Sequence, residues 1–200
     1  EGQNIYRIWY DKPASYWEEA LPVGNGRIAA MVFGDPQLEQ IQLNEETVSA
    51  GSPYQNYNEE AKTALPEMRR LIFEGKYEEA QNMETTKILS QVGNEMPYQT
   101  VGRLNIRYQD HKKVNNYYRD LDISNAVAVT RYKVDGVEFT EETFASFTDQ
   151  LVIRHIKASK PGTINCELFF NTPMRDPKRS IYGKKGLRLE GITYGSRYFP

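Results

Sequence analysis

Residues 126–147 read Ala126-Val127-Ala128-Val129-Thr130-Arg131-Tyr132-Lys133-Val134-Asp135-Gly136-Val137-Glu138-Phe139-Thr140-Glu141-Glu142-Thr143-Phe144-Ala145-Ser146-Phe147. The Asp-Gly pair at their centre decides the architecture. Between two alternating runs it favours a type I′ turn, because both central residues need positive φ. That turn places Val134 opposite Val137, Tyr132 opposite Phe139, and Lys133 opposite Glu138. The apolar pairs then share one face while opposite charges meet on the other, as in a half-buried antiparallel ribbon.

Working outward, the same period recurs. Residues 5–10, 27–33 and 38–43 are short, apolar or alternating, and bounded by Gly, Pro, Asp or Asn. Residues 104–108, 117–123, 151–158 and 163–171 continue the pattern. One stretch differs. Asn58-Glu59-Glu60 reads as an N-cap with an acidic first turn, and Ala61, Leu65, Met68, Leu71 and Ile72 recur at helical spacing. Pro66 predicts a break, since proline inside a helix costs about 3 kcal/mol. Gly75 ends that helix, and residues 76–89 predict a second, with Tyr77, Ala80, Met83 and Ile88 facing inward. The chain is therefore expected to be mainly β, an antiparallel β-sandwich with a short helical insertion around residues 58–90.

Composition narrows the function classes. The net charge of the 200 residues is -2, with no clustered basic face for nucleic acid or anionic membrane. Lys178-Arg179 and Lys184-Lys185 read as solvated loop charges. No apolar run is long enough to span a bilayer. Cys166 is the single cysteine, expected as a buried, inert thiol. His111 and His155 stand apart, so no metal-ligand set is expected, and no cofactor.

Several motifs carry a family resemblance. Residues 16–28 run Tyr16-Trp17-Glu18-Glu19-Ala20-Leu21-Pro22-Val23-Gly24-Asn25-Gly26-Arg27-Ile28. Glu39-Gln40-Ile41-Gln42-Leu43-Asn44-Glu45-Glu46-Thr47 follows, then Gly51-Ser52-Pro53. Arg69-Arg70-Leu71-Ile72-Phe73-Glu74-Gly75-Lys76-Tyr77, Pro97-Tyr98-Gln99-Thr100-Val101-Gly102, Tyr118-Arg119-Asp120-Leu121-Asp122 and Phe144-Ala145-Ser146-Phe147-Thr148-Asp149-Gln150 come in order after it. Together they resemble the N-terminal domain of the α-L-fucosidases of glycoside hydrolase family 95, collinearly from about Ile8 to Pro173. The resemblance implies a β-sandwich of the super-sandwich type, filling residues 1–200 as one domain and truncated at its C-terminal end. It implies that the catalytic (α/α)₆ barrel, which carries the inverting chemistry on α-linked L-fucose or, in some relatives, L-galactose, lies outside this chain. No catalytic residue is carried over. The implied partners are that barrel in the same parent chain and, for the parent, a fucosylated oligosaccharide or polysaccharide, in an extracytoplasmic bacterial setting. The chain departs from the family at Val48-Ser49-Ala50, where an aromatic is common, and at Arg103, where an acidic residue is frequent.

Within the chain, inverting hydrolysis would need two carboxyl groups roughly 6.5–9.5 Å apart. Asp35, Glu45, Glu46 and Asp149 each lie beside turn formers, where solvated carboxylates act as local caps. Gly24-Asn25-Gly26-Arg27 is expected as a tight turn, because a strand rather than an anion-binding helix follows it. Asn44 and Glu45 are the candidate interdomain or substrate-adjacent residues, on a polar loop that follows a strand. A free-standing carbohydrate-binding sandwich with exposed aromatics is the alternative role. A docking domain should instead expose an apolar patch near the chain's end and near the loop 44–53.

Overall fold

A computed structural model describes residues 6–50, 56–90 and 98–193. They fall into two compact units, one made of residues up to 48 and from 99 to 193, the other running between 49 and 98. The first unit is an antiparallel sandwich. Its strands are β1 (Arg7–Tyr10), β2 (Leu21–Gly24), β3 (Ile28–Val32), β4 (Leu38–Glu45), β5 (Gly102–Tyr108), β6 (Val114–Asp122), β7 (Val127–Val134), β8 (Val137–Ser146), β9 (Leu151–Ala158) and β10 (Cys166–Asn171), followed by a hairpin of β11 (Arg175–Tyr182) and β12 (Gly186–Ile192). One sheet has the order β1-β6-β7-β8-β9, the other β10-β5-β4-β3-β2.

The hairpin of β7 and β8 has the expected register, with Tyr132 opposite Phe139, Lys133 opposite Glu138 and Val134 opposite Val137. Asp135 and Gly136 both have positive φ, 48° and 81°. Lys133 Nζ lies 2.7 Å from Glu138, and the Tyr132 and Phe139 rings stack at 5.3 Å. Leu21, Val23, Ala30, Val32, Ile41 and Ile106 from one sheet meet Leu121 and Ala128 from the other in one core cluster, and Tyr132, Val134 and Phe139 form a second. Burying each of the larger aliphatic side chains stabilises by about 1.5–3 kcal/mol.

Three strands were not expected: β2, β11 and β12. Leu21-Pro22-Val23-Gly24 is short and holds Pro and Gly, yet β2 is the edge of its sheet, where a missing N–H does not interrupt the ladder. Pairing with β3 alone carries it.

In the second unit, α1 (Ala61–Phe73) and α2 (Tyr77–Met83) form the helical insertion. Asn58 Oδ1 accepts from the Glu60 N–H at 3.0 Å, and the Asn58 carbonyl from Ala61 N at 3.0 Å, so Asn58 starts the helix from an Asx turn rather than at the cap itself. The predicted break at Pro66 does not occur; α1 runs through it. Pro66 and Lys62 are both exposed, so the carbonyl that loses its donor faces water. Arg70, bound to both Glu67 and Glu74, braces the turns that follow. Gly75 (φ +76°) donates to the Ile72 carbonyl at 3.0 Å and Lys76 to that of Leu71 at 2.9 Å, the two bonds of a Schellman cap. The second helix is shorter than predicted: it passes into a π-helical turn at Glu84–Ile88. There the Thr85 and Thr86 hydroxyls bond back to the Gln81 and Asn82 carbonyls, a competition that loosens helices. Tyr77 points outward, and Leu65 and Ile72 are also exposed; within α1 and α2 the buried residues are Ala64, Leu71 and Ala80.

Candidate functional site: a cleft between the two sheets

The turn from β2 to β3 is built by Asn25. Its Oδ1 accepts from Arg27 N at 3.0 Å and Ile28 N at 2.9 Å, and Gly26 takes φ +93°. Its Nδ2 donates to the Ser146 carbonyl at 2.8 Å, tying this turn to the end of β8 in the opposite sheet. Arg27 then reaches Glu45, Nε to Oε1, at 3.0 Å. The other Glu45 oxygen accepts from the Thr47 hydroxyl at 2.6 Å and the Thr47 N–H at 2.8 Å. These bonds, the Thr47 hydroxyl foremost and Arg27 next, hold the Glu45 carboxyl below the usual carboxylate range. An anion so fixed is a poor proton donor. Asn44 is half-buried on β4 opposite Ala29.

Both candidate residues, Asn44 and Glu45, line one cavity of about 330 Å³, with Ile28, Leu43, Leu151, Val152, Arg154 and Phe170 among its other walls. The cavity opens between β4 and β9, strands of opposite sheets. Leu151, the first residue of β9 and one of these walls, is exposed, as is Phe147 in the connection from β8. The loop residues 51–55 lie outside the described residues.

Arg154 leads from this cleft to a buried ionic cluster. Its Nη2 contacts Glu39 Oε2 at 2.6 Å and also Glu141 Oε2, while Nη1 donates to Thr143 Oγ1 at 2.6 Å. Glu39 lies on β4 and is 0 % exposed; Glu141 lies on β8 and is 1 % exposed. The Tyr108 and Tyr132 hydroxyls each donate to Glu141 Oε1 at 2.6 Å, and the Gly34 N–H donates to Glu39 Oε1 at 2.8 Å. Burial pushes the Glu39 carboxyl up to about 7 in spite of Arg154. The two carboxylates share one guanidinium and are sealed from solvent, so no glycosidic bond can approach them. Their chemistry is that of a latch between the sheets. Strand alternation on β8 points to part of this cluster, since a face that turns Phe139 inward also turns Glu141 and Thr143 inward, but it does not reach Glu39 or Arg154.

Arg119 is the second buried cation, over the Tyr10 ring at 4.1 Å, with Nε donating to the Lys12 carbonyl at 2.8 Å and Nη1 to the Glu19 carbonyl at 2.7 Å. Gly34 makes room for it: a Cβ there would sit 2.9 Å from Arg119 Cδ.

The remaining turn carboxylates have local partners. Asp35 Oδ1 accepts from the Gln37 and Leu38 N–H groups at 2.8 and 3.1 Å, and Asp149 Oδ2 from the Ser146 hydroxyl at 2.6 Å. Glu46 is exposed. His111 is buried, stacked on Tyr108 at 4.3 Å, with Nδ1 2.9 Å from the Pro36 carbonyl. Cys166 is half-buried rather than buried, and burial raises its thiol pKa. Among the described residues no group of three His, Cys, Asp or Glu is placed to hold a metal ion. No helix there is long and apolar enough to cross a membrane.

Residues 8–197 match the family model described as glycosyl hydrolase family 65, N-terminal domain. The chain is 37% identical over 180 residues to "Alpha-L-fucosidase 2" of Arabidopsis thaliana, covering 87% of this chain and 21% of the relative. It is 28% identical over 204 residues to "Probable alpha-fucosidase A" of Aspergillus niger, covering 94% and 24%. The protein of the same name from Aspergillus oryzae is 24% identical over 162 residues, covering 76% and 22%. The chain thus spans about a fifth to a quarter of the length of the curated relatives it matches.

Proposed function

Because the chain belongs to the family of the glycosyl hydrolase family 65 N-terminal domain, we propose that it is the non-catalytic docking domain of a longer α-L-fucosidase-type glycoside hydrolase of family 95. The observation that carries this reading is the end-to-end likeness to a small part of proteins called α-fucosidases. The geometry agrees with it. Glu45 is held as an anion by Thr47 and Arg27, and Glu39 and Glu141 are sealed around Arg154, so these three carboxylates furnish no open acid and base. Asn44 and Glu45 sit at the mouth of the cleft, where they face the catalytic barrel of the same parent chain. That barrel performs metal-independent inversion on fucosylated oligosaccharides or polysaccharide side chains, outside the cytoplasm. Origin in a bacterium is part of the same reading, although the relatives named above are plant and fungal.

An assay of the 200-residue chain with 4-nitrophenyl α-L-fucoside and 2′-fucosyllactose tests the proposal. No turnover is expected. Turnover that follows the chain through successive purification steps would overturn the docking role, and its loss in Glu45→Gln would place the reaction in the cleft.

A further inference from the structure

The outer face of the five-stranded sheet that begins with β1 carries a group of side chains that neither core nor cleft uses. Trp9 is 61 % exposed, although tryptophan is ordinarily well buried. Its ring lies 6.2 Å from that of Tyr118 on β6, at an interplanar angle of 20°. Beside this pair the Asp120 side chain is 2 % exposed, on the sheet face that should be wet. Arg7 Nη1 meets Asp120 Oδ2 at 2.9 Å. Asp120 Oδ1 has no hydrogen-bond donor, and Arg131 Nη1 stands off at 3.8 Å. A buried carboxylate oxygen without a donor costs free energy that a ligand hydroxyl can recover.

We propose that Trp9, Tyr118, Arg7, Asp120 and Arg131 form a saccharide-binding subsite on this face, separate from the cleft. A pyranose presents one face of C–H groups, which stacks on an exposed indole or phenol ring. Its hydroxyls both donate and accept, which suits a carboxylate set between two guanidiniums. Arg7 and Arg131 are balanced by Asp120 and the neighbouring Asp122, whose Oδ2 lies 3.4 Å from Arg7. A locally neutral group of this kind selects an uncharged sugar over a phosphate or a nucleic acid, either of which needs net positive charge. Arg131 is about half exposed, so its side chain can swing aside to open Oδ1. The choice of a neutral sugar rests partly on the glycoside hydrolase reading; the site itself rests on the geometry.

Titration of the 200-residue chain tests the proposal, with Trp17→Phe as the background so that Trp9 alone reports by fluorescence. The probes are 2′-fucosyllactose, lactose and cellobiose, with inorganic phosphate as the charged control. Saturable quenching by at least one sugar, with Kd in the millimolar range or tighter, is expected. Asp120→Asn should weaken it at least tenfold in a chain that circular dichroism shows to be still folded at the temperature of the titration. Because Trp9→Ala removes the reporter, that variant and Tyr118→Ala are followed by ligand-observed NMR, and both should lose the sugar signal. Binding of lactose or cellobiose without preference for the fucosylated probe keeps the subsite and counts against a fucose-directed parent. Absence of binding to every sugar overturns the subsite and leaves the docking role standing. Sugar binding that survives both Trp9→Ala and Asp120→Asn overturns it equally.

Discussion

At the residue scale, charge placed inside the sandwich has a readable effect on stability. The carboxyl of Glu39 is pushed from 4.5 up to about 7, mainly by burial, with Glu141 adding to the push and Arg154 opposing it. A carboxyl whose pKa is raised on folding binds its proton more tightly in the folded chain, so its contribution declines as pH climbs from 4.5 through 7. The full span corresponds to on the order of 3 kcal/mol. His111 acts in the opposite sense, because burial lowers its pKa and charging it below 6.5 costs stability. The difference between wild type and Glu39→Gln therefore isolates the carboxyl better than the wild-type curve does. Urea denaturation at pH 5 and pH 8 should show wild type losing ground to Glu39→Gln as pH rises; a difference that stays flat would show that Glu39 titrates normally. Arg154→Met should be far worse at pH 8, by about 3–5 kcal/mol, since it leaves two buried carboxylates facing each other.

At the element scale, two glycines separate backbone strain from collision. A Cβ at Gly136 would meet nothing within 4 Å, so Gly136→Val should cost only the strain of a β-branched residue at φ +81°, about 1–2 kcal/mol. At Gly102, φ is +137° and a Cβ would lie 2.4 Å from the Asn171 carbonyl oxygen, so Gly102→Ala should cost more, despite adding a smaller group. Denaturation midpoints rank the two; the reverse order would put the pairing of β5 with β10 in error. The contrast also marks how far the fold is legible in sequence. The period-2 runs and Asp135-Gly136 place the β7 and β8 partners residue by residue, because local alternation and turn chemistry agree there. Strand β2 stays hidden because its pairing with β3, not its own composition, makes it a strand. The passage of α1 through Pro66 is equally hidden, since it depends on which carbonyls face water. Of the candidate site, Asn44 and Glu45 stand out in sequence as polar residues after the expected strand 38–43, but they are the last two residues of β4, paired with Ala29 and Ile28, rather than part of a loop; the Glu39–Arg154–Glu141 latch spans two sheets. Its members are 115 and 13 residues from Arg154 along the chain, and no local pattern joins them.

At the scale of the whole molecule, the question is what covers the hairpin of β11 and β12. A two-stranded ribbon is marginally stable in water by itself, and most of this one is exposed. Ile181 and Leu187 are directly opposed across it and exposed, so their shared face is an apolar one. The same two residues, with exposed Leu168 and half-buried Phe170 of β10, line a hollow of about 250 Å³. In the docking role the rest of the parent chain fills that hollow. The 200-residue chain by itself should then self-associate, burying Ile181 and Leu187 against a second copy. Lys178, Arg179 and Arg188 on the same ribbon would repel one another across such a contact, so association should strengthen as salt screens them. Sedimentation velocity over a range of protein concentrations, at low and at high salt, measures this. Ile181→Lys with Leu187→Lys should return the chain to monomer under both conditions without altering its thermal midpoint. A wild-type chain that stays monomeric at high concentration and high salt would mean that the ribbon tolerates water, and the docking role would lose its support from this face.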